Sequence, residues 1–507
     1  MPFPRRAGIL LHPTSLPGRF GVGEIGPEAH RWLVHLERMR QRLWQVLPLG
    51  PTGYGDSPYQ SLSTFAGNPQ VVSLEWLARE GLLGSDDLAG VPPLPDDRVD
   101  FGAVIPARSH LLDKAVEQWH RGCPAALGHA AADFAERERG WLDDWCLFAA
   151  LKAHFGGGPW VEWPTDLVRR EPAALRSARA RLAGEVDRAR VLQFLFFEQW
   201  REVRDAARAR GIAIVGDLPI FVAHDSADVW CHPELFQLDA TGRPTVVAGV
   251  PPDYFAEDGQ RWGNPLYRWE EHAADGFAWW VERLRSAFDL YDILRVDHFR
   301  GFAAAWEIPA EAPTAATGRW VAGPGRDLFD AARRALGDRP IIAEDLGLIT
   351  PDVEALRREL GLPGMRVLQF IFGDPPGPEA PPTDDDPPDI VVYTGTHDND
   401  TAHGWYHTPP DANPTRSADE VERERHRLRV RLSTDGAAIH WDLIGMALAA
   451  RAHTAIYPLQ DLLGLGSTAR MNVPGRPWGN WSWRFRWDQL TPDIETRLAT
   501  LTLAAGR

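Results

Sequence analysis

Short runs of uninterrupted apolar residues recur along the chain, and most of them end in a cluster of polar side chains. They begin at residues 7 (AGILLHP), 43 (LWQVLPLGP), 212 (IAIVGDLPIF), 291 (YDILRVDHF), 340 (PIIAEDLG), 365 (MRVLQFIF), 389 (DIVVYTGTHD) and 453 (HTAIYPLQDLLG). Runs of this length without polar alternation predict strands buried on both faces. Amphipathic patterns of helical period separate most of them, such as GFAWWVERLRSAFDL before the fourth run and DVEALRREL after the fifth. Alternating strand and helix predicts a parallel sheet, and eight strands favour closure into an α/β (β/α)8 TIM barrel over an open doubly wound sheet. No Gly-rich dinucleotide fingerprint follows the first run.

The runs are unevenly spaced. The long interval between the second and third carries strong helical signal (ERERGWLDDWCLFAALKAHFG, VLQFLFFEQWREVRDAARARG), which predicts a helical subdomain inserted at approximately 70–205. GRPTVVAGVPPDYFAEDGQRWGNPLY, residues 242–267, is rich in Pro and Gly and predicts a long loop. It belongs to an insertion at approximately 225–270, after the third strand, expected to lie over the barrel mouth. The Asp- and Pro-rich stretch 373–389 reads as a solvated loop rather than a metal site. Residues 1–507 therefore read as a single catalytic barrel carrying helical and loop insertions.

Composition narrows the function. A formal charge of −16 without basic runs argues against nucleic acid or an anionic membrane as partner and favours a neutral or cationic small molecule. Cys123, Cys146 and Cys231 are odd in number and widely spaced, which suggests neither a disulfide framework nor a zinc site. The apolar run near the N-terminus is too short for a signal-peptide core, and no stretch is long enough to span a bilayer, so a soluble cytoplasmic protein is expected. The chain has 22 Trp against 8 Tyr, a bias that suits a large core and equally suits stacking on sugar rings.

In a barrel the C-terminal strand ends converge on one face, where active sites are built. Asp217, Asp297, Glu344 and Asp398 stand at the ends of the third, fourth, fifth and seventh predicted strands. Side-chain alternation puts Arg295 and Asp297 on one face of the fourth strand, opposite Leu294 and Val296. A guanidinium beside a carboxylate favours its charged form, which is what a nucleophile needs. On the fifth strand alternation leaves either Glu344 or Asp345 as the inward acid. Val392, Thr394, Thr396 and Asp398 form one row on the seventh, with His397 beside them. Neighbouring strands lie roughly 4.8 Å apart, compatible with the roughly 5–5.5 Å carboxyl separation of a retaining glycosidase pair. Each acid has a plainer reading as a buried ion pair or, for THDNDT, a helix cap, and the His and Asp cluster also fits a metal site. Several acids at one mouth favour a functional role over those plainer readings.

The stretches GDSPYQSLSTFAGNP, GVPPDYFAEDGQRWGNPLY, LRVDHFRGF, AEDLG, YTGTHDNDT and GLGSTARMNVPG, in that order between GILLHPTSLPG and GNWSWR, resemble amylomaltase, the 4-α-glucanotransferase family of the α-amylase clan. The resemblance implies Asp297 as nucleophile, Glu344 rather than Asp345 as acid and base, and Asp398 as transition-state stabiliser. It further implies that Arg295 orients Asp297, that His397, Asp217 and Asn472 bind sugar hydroxyls, that Tyr59 stacks on the sugar at the cleavage point, and that Gln260 and Trp262 contact the chain from the loop. Tyr54 is either a turn residue or part of a second glucan-binding surface. The family often carries Glu where this chain has Thr468, which bears on neighbouring acceptor contacts. Implied partners are maltodextrins, amylose and other α-1,4-glucans, with glucose or maltose as acceptor, and no cofactor or metal is called for. A retaining α-glucan hydrolase shares these acids, and a non-catalytic glucan-binding protein is the remaining alternative.

Overall fold

The computed structural model of the protein describes residues 4–252, 258–372, 387–409 and 417–507. Most of the acidic stretch, 373–386, and residues 253–257 of the expected loop lie outside the described residues. Each apolar run forms a strand: β1 Arg6–Leu10, β2 Leu43–Gln45, β3 Ala213–Leu218, β4 Ile293–Val296, β5 Ile341–Ala343, β6 Gly364–Val367, β7 Ile390–Tyr393 and β8 Thr454–Pro458. They pair in parallel from β1 to β5 and from β6 to β8, and β8 returns to β1. At the remaining seam the Ala343 N–H donates to Pro363 O at 2.9 Å and the Met365 N–H donates to Asp345 Oδ1 at 2.7 Å. The result is a (β/α)8 barrel.

Its lumen is packed and hydrogen-bonded. Tyr393 of β7 donates its hydroxyl to Gln45 Oε1 of β2 at 2.9 Å, and Tyr457 of β8 donates to Gln41 Oε1 at 2.6 Å. Buried polar groups so paired avoid the cost of lost hydration. Gly216 in β3 is required by a close approach, because a Cβ there would stand 2.1 Å from the Tyr291 ring. That packing sets the residue before Asp217.

The chain between β2 and β3 is helical, including Phe101–Gly122, Ala125–Arg137, Arg139–His154 and Ala183–Ala209. The last of these runs straight on to the barrel wall. Its Trp200 ring lies 6.1 Å from Trp44 of β2 and its Nε1–H donates to Leu290 O at 2.9 Å. Helix Pro351–Leu360, after β5, ends on Gly361, whose φ of 65° makes the left-handed cap that favours glycine.

Residues 242–267 differ from the expected loop. They contain two strands, Val246–Val250 and Gln260–Pro265, which join Ala304–Pro309 and Arg319–Ala322 in a four-stranded antiparallel sheet. Val247, Ile308 and Ala315 form its small buried core. One of the two partners of Val246–Val250, Ala304–Pro309, comes from the far side of β4, so that pairing is non-local, and the Pro and Gly content of the segment misleads. Strand formation here depends on context more than on intrinsic preference.

Candidate active site

The register of β3 and β4 aligns Asp217 with Arg295, and that pair organises the inner half of the site. Arg295 Nη1 donates to both Asp217 oxygens at 2.7 Å and to Asp297 Oδ1 at 3.0 Å. Arg295 is 4% exposed and Asp217 2%, so that pair is out of water. Burial works against the Arg295 cation, but the Asp217 and Asp297 carboxylates outweigh it and hold its pKa well above the ordinary value. Burial pushes the Asp217 carboxyl upward, and the Arg295 cation opposes that shift. Tyr59 donates its hydroxyl to Asp217 Oδ2 at 2.8 Å, and its ring stacks on His397 with centroids 4.9 Å apart. Asp297, just past β4, is partly exposed, and among the described residues no donor reaches its Oδ2. One carboxylate oxygen is thus held by the guanidinium and the other is left for the cleft.

Glu344 stands beside it. The Glu344 N–H donates to Val296 O and the Phe299 N–H donates to Glu344 O, each at 3.0 Å, so the chains leaving β4 and β5 remain adjacent beyond the strands. The Glu344 carboxyl accepts from the His298 N–H at 2.6 Å and from the Leu346 N–H at 3.1 Å. Burial raises its pKa to about 8; Arg295 opposes that shift and the Asp297 charge adds to it. A carboxyl so placed holds its proton at neutral pH. Asp345, the other candidate left by alternation, closes the barrel seam and pairs with Arg357 Nε at 3.0 Å.

Asp398 reaches the site by a different route. β7 ends at Tyr393, so the expected row from Val392 to Asp398 is broken and Thr394 instead bonds Asp461. A tight turn does the positioning: Asn399 Oδ1 accepts from the Thr396 N–H at 2.8 Å, and the Thr396 hydroxyl accepts from the Asp398 N–H at 3.3 Å. The cap of the following helix, Ala402–His407, is Thr401, which leaves Asp398 free of that duty. Asn472 Nδ2 donates to Asp398 Oδ1 at 2.6 Å, the Asn472 N–H donates to His397 O at 3.1 Å, and Arg470 Nη2 donates to Asp398 O at 2.6 Å. His397 Nε2 lies 3.4 Å from Asp398 Oδ1. The Asp398 side chain is 48% exposed.

Gln260 and Trp262 stand on the antiparallel sheet. Trp262 Nε1–H donates to Gln260 Oε1 at 3.2 Å, and the indole ring meets the His298 ring edge-on at 4.8 Å. Tyr54, by contrast, is 65% exposed and pairs with the equally exposed Trp478, centroids 5.2 Å apart. Sequence reasoning passed over three residues of the site: His298, Arg470 and Trp481, whose ring lies 5.7 Å from Tyr59. His298 carried a signal in its place directly after Asp297, and Arg470 and Trp481 lie within the stretches GLGSTARMNVPG and GNWSWR. Among the described residues no group of three or more His, Cys, Asp or Glu is arranged to hold a metal ion, and no helix is long and apolar enough to cross a membrane.

A sequence model of the family described as 4-alpha-glucanotransferase matches residues 11–491. The chain is similar to the 4-alpha-glucanotransferase of Thermus thermophilus, 50% identical over 100% of both chains, and to that of Synechocystis sp., 47% identical over 99% of this chain and 98% of the other. Among solved structures, the amylomaltase from Streptococcus agalactiae in complex with acarbose superposes with a TM-score of 0.94 at 36% identity, covering 99% of each chain.

Proposed function

The chain belongs to the 4-alpha-glucanotransferase family, and from that premise we propose how its site moves an α-1,4-glucan segment from a donor to the 4-hydroxyl of an acceptor glucan or glucose. Asp297 attacks the anomeric carbon through Oδ2 while Arg295 holds Oδ1. Glu344 gives its proton to the departing glycosidic oxygen. A covalent glucosyl-aspartate remains, and the reducing-end piece leaves. The acceptor hydroxyl then loses its proton to Glu344 as its oxygen displaces Asp297, so two inversions give net retention.

The observation that carries this reading is the pairing of unlike acids. Asp297 sits against a guanidinium, whereas the neighbouring Glu344 is driven up to about 8. Environments that treat two neighbouring carboxyls so differently assign the nucleophile and the proton donor. Asp398, with His397 and Asn472 around it, binds the hydroxyls of the flattened sugar ring and stabilises the oxocarbenium-like transition state. Tyr59 and Asp217 form the floor beneath that sugar, and Gln260 and Trp262 line the approach.

The comparisons favour transfer over hydrolysis. Maltodextrins, amylose and related α-1,4-glucans serve as donors, with glucose or maltose as acceptor; the acarbose complex of the Streptococcus agalactiae protein supports an α-glucan site. The three free cysteines suit a reducing cytoplasm. Incubation with maltotriose tests the activity. Transfer gives a ladder of longer maltodextrins plus glucose at nearly constant total reducing ends, and a steady rise in reducing ends would instead identify a hydrolase.

A further inference from the structure

His298 follows the nucleophile directly, and two features of it are unusual. Its backbone adopts φ 48° and ψ 51°, the left-handed region that is uncommon for a residue other than glycine. That conformation has a visible use, since it aims the His298 N–H at Glu344 Oε2 at 2.6 Å. The side chain has no such use. Its Nε2 is buried and has no hydrogen-bond partner among the described residues. The ring is packed edge-on against Trp262 at 4.8 Å, and Phe221 lies 6.3 Å away. Burial pushes its pKa down to about 4, so the imidazole is neutral and carries one donor or one acceptor at Nε2. A buried polar atom without a partner calls for an explanation, and beside an active site the simplest is a partner that arrives with the substrate.

The position says which partner. Glu344 stands on the side of the cleaved bond from which the first sugar leaves and the acceptor arrives, and the His298 N–H touches that carboxyl. Trp262, whose ring meets the His298 ring edge-on, belongs to the antiparallel sheet beside the mouth and is only partly buried, with a ring suited to stacking on a sugar. We propose that His298 is an acceptor-recognition residue: a glucan entering against Trp262 brings a hydroxyl of the sugar on the Glu344 side of the cleaved bond to Nε2 and supplies its missing hydrogen bond. The contact is made with a sugar and cannot be reproduced by a single water at the anomeric carbon, so it favours transfer over hydrolysis. This inference rests on the assignment of Glu344 as acid and base.

The test separates the two half-reactions with α-maltosyl fluoride, whose leaving group occupies no acceptor position. The burst of fluoride reports formation of the glucosyl-enzyme, and the steady rate at varied glucose reports its capture. His298→Phe keeps a ring against Trp262 and Phe221, and Phe277 already adopts φ 61° in this protein, so the backbone geometry is tolerated. The variant is expected to raise the KM for glucose about tenfold, the loss of one hydrogen bond to an uncharged group, with a much smaller change in the burst and a larger share of hydrolysis. His298→Asn is the second variant, since Asn accepts the left-handed region; it shortens the side chain and is expected to show the same split. Equal loss in both half-reactions, or an unchanged glucose KM in both variants, overturns the proposal. Asp297→Ala checks the premise separately: a persisting burst there means that the assignment of the acids is wrong, whatever His298 does.

Discussion

The inner and outer halves of the site are built on opposite plans. Inside, Arg295 and Asp217 are buried and Tyr59 partly so, and the Arg295 guanidinium gives three hydrogen bonds to carboxylate oxygens across two adjacent strands. Outside, Asp398 is half exposed on a turn, and its neighbours Asn472 and Arg470 come from another loop. The inner half has low local dielectric and fixed geometry, so it sets charge. The outer half is solvated and depends on loop placement, so it sets the fit to a sugar. Charges that must be ready before substrate arrives belong on strands, and contacts that tighten only in the transition state tolerate loops.

Removing the reacting group should have the largest effect. Asp297→Ala is expected to lower transfer by about 10⁴-fold or more while maltodextrin binding by calorimetry persists. Substantial residual turnover would count against Asp297 as nucleophile. Arg295→Met attacks the inner half as a structure: it leaves Asp217 buried without its cation, and urea unfolding should show a loss of about 3–5 kcal/mol together with a collapse of activity. Normal stability in that variant would mean that Asp217 finds another partner.

The outer half should respond differently. Asn472→Ala removes a charge-assisted hydrogen bond to Asp398 at the solvent edge, and kcat should fall about tenfold with stability unchanged within about 0.5 kcal/mol. A large drop in melting temperature would erase the distinction between the halves. A change of pH tests the acid directly. Glu344 must carry its proton to act, so kcat/KM should fall as pH rises through about 8. Stability carries the same sign: a carboxyl whose folded pKa is raised costs stability once pH exceeds its unfolded value, increasingly up to about 8. Glu344→Gln should therefore melt higher than the wild-type protein at alkaline pH and close to it in acid. A flat profile for both quantities would return Glu344 to an ordinary carboxyl.

The eight strands were legible because buried parallel strands are apolar on both faces, and that pattern survives any tertiary context. The acids at their ends were legible because several carboxylates gathered at one barrel mouth outweigh the ion-pair or cap reading open to any one of them. The antiparallel sheet was not, because Val246–Val250 pairs with Ala304–Pro309 across β4 and nothing local records the partnership. The row leading to Asp398 failed because alternation holds only while the strand lasts, and β7 ends at Tyr393.

The sequence by itself determined the barrel, the order of its strands and the family motifs that single out Asp297, Glu344 and Asp398. Tertiary structure decided what each acid does with its charge. Asp345 is taken up by the seam and Glu344 is driven toward its neutral form, although the two are adjacent in the chain. Hydration, distance to a guanidinium and the direction of a single N–H separate them, and those quantities exist only once remote segments have met.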